Sequence, residues 1–114
     1  MQLDSFIEKL KSAPESVAFT DTMAVIEANY TYTPTAFSNG EVNNDAGTNE
    51  GSCKLFAFAQ LNQLSPEETL ACFGDYYRVD VLQHPDGSDH GNIRNFMQSG
   101  WEGVQFDGKP LTAK

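Results

Sequence analysis

The sequence predicts an α+β fold, a mostly helical single domain with a small antiparallel β-hairpin or sheet. Two observations carry that reading. Apolar residues recur at helical spacing through most of the chain, and one aromatic-rich stretch, residues 30–37, alternates with period two before the turn-forming Ser38-Asn39-Gly40. A chain of 114 residues is expected to form one core, burying roughly two thirds of its unfolded surface. No repeat, low-complexity stretch or linker divides it.

The first helix is expected over residues 4–12, where Leu3, Phe6, Ile7 and Leu10 share a face and Ser5 with Glu8 can form a capping box. Pro14 ends it. A second helix is expected over residues 20–29, since Val25 and Ile26 fall beside Phe19, Met23 and Tyr30. Residues 30–37 then form a strand, and Glu41-Val42-Asn43 pairs back across the turn. Pro34 has no amide to give to a ladder, so its strand should lie at an edge or bulge there. A loop rich in turn formers fills residues 45–51. The nearly continuous apolar run at 55–61 predicts a helix buried on most sides.

Ser65-Pro66-Glu67-Glu68 opens the next helix with a cap, a first-position proline and a box-completing glutamate, and Gly74 stops or kinks it. Residues 76–83 continue as a helix, with a strand as the alternative. Asp89 is expected to cap a last helix bearing Ile93, Phe96 and Met97, which Gly100 ends. Val104-Gln105-Phe106 can return as a strand onto the hairpin.

Seven basic residues against sixteen acidic ones give a net charge of −9, which disfavours nucleic acid and anionic membrane surfaces as partners. From Ser12 through Cys53 there is no Lys or Arg, so this half is a solvated acidic face or a dock for a basic partner. No apolar run reaches the ~20 residues of a membrane helix, and no basic-then-apolar signal opens the chain, so cytoplasmic residence is expected. Cys53 and Cys72 have neither zinc-ligand nor disulfide-framework spacing and read as reduced thiols, so no metal or cofactor is expected.

Two polar segments are candidates for chemistry. The first, residues 39–54, carries Asn39, Asn44, Asn49, Ser52, Cys53 and Lys54. Asn and Gly there favour a self-bonded loop, and if Gly51-Ser52-Cys53-Lys54 is a first helical turn, its free amides and dipole suit a small anion. The P-loop ending is absent. A thiol at a helix start can have a lowered pKa, against the alternative of a buried inert cysteine. The second segment, residues 84–96, holds His84, Asp89, His90 and Arg94. Its residues can cap a helix and make structural hydrogen bonds, ligate a metal, or supply a base to Cys53.

Phe37-Ser38-Asn39-Gly40, the Asn49-Glu50-Gly51-Ser52-Cys53-Lys54 core of residues 44–54, and His84-Pro85 through Trp101 resemble the HopJ type III effector protein family across most of positions 19–101. The resemblance implies a bacterial origin and carries no activity, cofactor or residue role with it. Its effector label implies secretion. The helical pattern beginning at Leu3 leaves no room for a free leader and points instead to an intracellular role.

Three functions compete on these grounds. One is a cytoplasmic binding or accessory domain whose two polar segments form one pocket for a small anion or polar ligand, which requires Asn49, Ser52, Lys54, His90 and Arg94 to converge. Another is an enzyme with Cys53 as nucleophile and His84 or His90 as base. The third is an interaction protein, including a secreted effector, that docks through its acidic half.

Overall fold

The computed structural model describes residues 2–114. Helix α1 (Leu3–Ser12) buries Phe6 and Leu10. It starts directly after Gln2 without a side-chain cap, so Ser5 lies inside the helix and the expected Ser5–Glu8 box does not form. Helix α2 (Phe19–Asn29) buries Thr22, Val25 and Ile26, and the Asp21 carboxylate accepts the Ala18 amide at 3.1 Å to hold its first turn.

The aromatic stretch after α2 does not run as one strand. Pro34 lies in the break between β1 (Tyr30–Tyr32) and β2 (Phe37–Asn39), and the two belong to different sheets. Strand β2 pairs antiparallel with β3 (Val42–Asn44), Phe37 opposite Asn44 and Asn39 opposite Val42. Gly40 takes φ +61° in the intervening turn, where a Cβ would also collide with Asn95 Oδ1. The expected return of residues 104–106 is present: β4 (Val104–Phe106) pairs the other edge of β2, giving the order β3-β2-β4. A strand absent from the sequence expectations, β5 (Leu111–Ala113), pairs antiparallel with β1.

Helix α3 (Glu50–Leu61) runs through the core, burying Cys53, Leu55, Phe56, Ala57, Phe58 and Ala59. Phe56 is its hub: its ring meets Phe37, Phe73, Phe96 and Trp101 with centroids 5.0–6.3 Å away, mostly in the edge-to-face geometry that aromatic quadrupoles favour. Helix α4 (Pro66–Ala71) begins with the expected reciprocal box, Glu68 N to Ser65 Oγ at 3.1 Å and Ser65 N to Glu68 Oε1 at 2.9 Å. Gly74 ends that run at φ +64°, where a Cβ would meet Phe19 N at 2.6 Å.

The segment Tyr76–Val81 is helical with π-type winding, so the strand alternative is excluded. Arg78 ties it back by donating to the carbonyls of Pro14, Val17 and Ala71. Helix α5 (Gly91–Ser99) buries Asn92, Ile93 and Phe96 and ends at Gly100, φ +61°. Its cap position is His90, not Asp89. Asp89 instead accepts from Arg94 Nη2 at 2.7 Å, because the left-handed backbone at His90 shifts the helix start by one residue.

Candidate functional site

A cleft of about 320 Å³ opens where the starts of α3 and α5 face each other. Asn49, Gly51 and Ser52 line it from α3, and His90, Gly91, Asn92 and Ile93 from α5. The remaining wall is aromatic: Phe19, Phe73 and Tyr76. Phe19 stacks near-parallel on Phe73 (6.3 Å, 12°) and meets Tyr76 edge-on at 5.2 Å. Tyr76 in turn lies 5.3 Å from the His90 ring.

Both helix starts are open. Asn49 and His90 occupy the cap positions with left-handed backbones (φ 49° and 53°), and neither side chain caps its helix. Among the described residues the amides of Gly51, Ser52, Gly91 and Asn92 have no protein acceptor. First-turn amides aligned with the helix dipole favour negative charge. The side chains that occupy the cap positions are engaged sideways. Asn49 Nδ2 donates to Asn44 Oδ1 at 2.7 Å; His90 Nε2 lies 3.0 Å from Asp80 Oδ2 and 3.8 Å from Asp89 Oδ2.

Behind the cleft lies a buried set of carboxamides. Asn44 and Asn92 pair reciprocally, Nδ2 to Oδ1, at 3.1 and 3.0 Å. Asn39 Nδ2 donates to Asn92 O at 2.7 Å and to Asn92 Oδ1 at 3.2 Å. The Asn39 side-chain Oδ1 is buried with no partner among the described residues, a situation that costs about 1–3 kcal/mol.

The sequence candidates therefore divide. Asn49, Ser52 and His90 meet at the cleft, and Asn39 and Asn44 stand behind it. Lys54 is elsewhere, its Nζ 4.8 Å from the centroid of the Tyr32 ring. Arg94 does not line this cleft either: it braces the 84–89 loop through the carbonyls of His84 (2.8 Å) and Asp89 and through the Asp89 carboxylate, whose pKa it holds below the usual range. His84 is exposed and takes part through its backbone, its carbonyl accepting from Arg94 and Gly87 and its amide donating to Val81. The five-residue convergence required above is thus incomplete, Lys54 and Arg94 lying outside it.

Cys53 is 1% exposed, and its thiol faces the Thr35 carbonyl at 3.6 Å. Burial pushes its pKa up, the reverse of what a helix-start nucleophile needs. Burial likewise pushes the Cys72 thiol up to about 12. Both cysteines are free. Among the described residues no group of three or more His, Cys, Asp or Glu side chains could hold a metal ion, and no helix is long and apolar enough to cross a membrane.

Phe19, Phe73, Tyr76, Asn92 and Asp80 were not singled out by the sequence. The aromatic residues carry the same periodic signal as the core, so nothing in the pattern separates lining from packing. Asn92 sits inside the second polar segment, and only its pairing with Asn44 sets it apart.

A family model described as HopJ type III effector protein matches residues 3–111. No curated protein matches the chain. Among solved structures, the crystal structure of the unknown-function protein VPA0580 is similar: 60% identity, TM-score 0.99, covering 100% of this chain and 95% of that one. The match of the family model over nearly the whole length places the chain in the HopJ type III effector protein family.

Proposed function

We propose that the chain is a small-ligand-binding or accessory domain whose cleft takes a compact ligand with one anionic group on a flat apolar body. The observation that carries this reading is the meeting of two open helix starts on one cleft with an aromatic wall. Each start contributes the equivalent of about half a positive charge, concentrated on amides that lack acceptors. Phe19, Phe73 and Tyr76 offer ring surface to the rest of the ligand. Among the described residues no Lys or Arg lines the cleft, so a single charge suits it better than a polyphosphate. The cytoplasm is the compartment this role fits.

Benzoate is the direct probe, with benzyl alcohol as its neutral counterpart. Calorimetry is expected to register benzoate at one site and little heat from the alcohol. Equal heats, or none from either, would remove the reading.

The family's description favours a second reading, delivery as a type III effector. The acidic stretch from Ser12 through Cys53 then docks on a basic partner. A translocation reporter fused to the chain tests it: signal in host cells supports delivery, and signal that persists without a working secretion system counts against it.

A further inference from the structure

We propose that Asn44 and Asn92 are positioning residues, their buried carboxamide pair locking the start of α3 to the start of α5 and so setting the width of the cleft between them. This rests on reading the cleft as a ligand site. The bonds form one connected ladder: Asn49 to Asn44 at 2.7 Å, Asn44 with Asn92 at 3.0 and 3.1 Å, and Asn39 to Asn92 at 2.7 and 3.2 Å. Its members come from β2, β3, the residue before α3, and α5.

Asn39, Asn44 and Asn92 are 0%, 4% and 7% exposed, so the bonds among them are shielded from competing water, while Asn49 at the end of the ladder is exposed. A carboxamide has both donor and acceptor, which lets Asn44 and Asn92 bond reciprocally without burying a charge. An aspartate there would lack the donor and a leucine would lack both. Asn49 and Asn92 are themselves part of the cleft lining. The ladder therefore joins its two walls, and Asn39, although its own Oδ1 has no partner among the described residues, adds two further bonds to Asn92. That arrangement favours geometry at the site over full satisfaction of the core.

Asn49→Gly tests the ladder without threatening the fold, because glycine keeps the left-handed φ of 49° and only the terminal rung is lost. In ligand-free ¹⁵N–¹H spectra, the amides of Gly91 and Asn92 across the cleft are expected to move together with those of Gly51 and Ser52. The side-chain amide protons of Asn44 and Asn92 should exchange faster with solvent. Benzoate affinity should fall by about fivefold, the factor a single neutral hydrogen bond is worth. Shifts confined to the residues beside position 49, with Gly91 and Asn92 unmoved, would overturn the proposal. The ligand-free spectra decide the coupling alone, so a parent protein that ignores benzoate counts against the cleft's ligand and leaves the ladder to be judged by those shifts.

Discussion

Helix α4 and the pair α3 and α5 begin in opposite ways. At α4, Ser65 has the extended backbone that capping requires (φ −68°, ψ 163°), and its side chain and that of Glu68 close the first turn reciprocally. At α3 and α5 the cap positions are left-handed and non-glycine, each costing about 1 kcal/mol, while the side chains bond sideways to Asn44 and Asp80. The closed start satisfies its own amides within the first turn. The two strained and open starts lie together on the cleft, their first-turn amides without acceptors among the described residues.

The sharpest way to break this contrast is Asn44→Asp. It turns the donor facing Asn92 Oδ1 and the Phe37 carbonyl into an acceptor in a buried site. A loss of about 3 kcal/mol is expected in urea unfolding, with the α3 and α5 amides perturbed together. A loss under about 0.5 kcal/mol, the scatter of ordinary surface changes, would show that the ladder holds little.

Ser65→Ala removes the α4 cap and should cost about 1 kcal/mol of stability while leaving benzoate affinity where it was. A change in affinity would blur the separation between closed and open starts. Gly51→Ala makes the opposite test. Its Cβ would stand 2.9 Å from Phe19 Cζ, so the ring must shift at the cleft wall. Stability should change by less than about 1 kcal/mol, because the gain from replacing a helical glycine offsets the crowding. Benzoate affinity should drop several-fold by calorimetry, and unchanged affinity would mean that this wall is not used.

The smallest effect concerns acid. The Ser65 amide, with help from Lys11, holds the Glu68 carboxyl below its ordinary value despite partial burial. A depressed folded-state pKa contributes stability that is complete above the unfolded value, about 4.3, and is lost as the pH falls through the lower folded value. Glu68→Gln should therefore lower stability modestly at neutral pH, where the charged contribution is complete, flatten the profile through the acid window and converge with the parent protein below it. An unaltered acid profile would mean the box contributes nothing through its charge.

Much of the scaffold was legible because its signals are local. Ser65-Pro66 and Gly100 begin or end helices through chemistry contained in a few residues, and the nearly continuous apolar run at 55–61 reports burial on most sides. Pro34 announced trouble in its strand, yet that β1 would leave for a separate sheet depends on β5, whose Leu-Thr-Ala carries no pattern of its own. The cleft was half legible. Asn49, Ser52 and His90 stood out as polar residues at turn positions, but that their neighbours Lys54 and Arg94 turn elsewhere is settled by Tyr32 and by the 84–89 loop carbonyls. Asp89 looked like a cap because Asp is a preferred cap residue; histidine is enriched among left-handed residues, but these are a small minority, so nothing local marks His90 as one.

A benzoate titration of the ¹⁵N-labelled protein tests the open-start cleft most directly. The amides of Gly51 and Ser52 at one helix and of Gly91 and Asn92 at the other should shift along one binding curve with a common midpoint. Shifts limited to one helix start, or an unchanged spectrum at saturating benzoate, would contradict it.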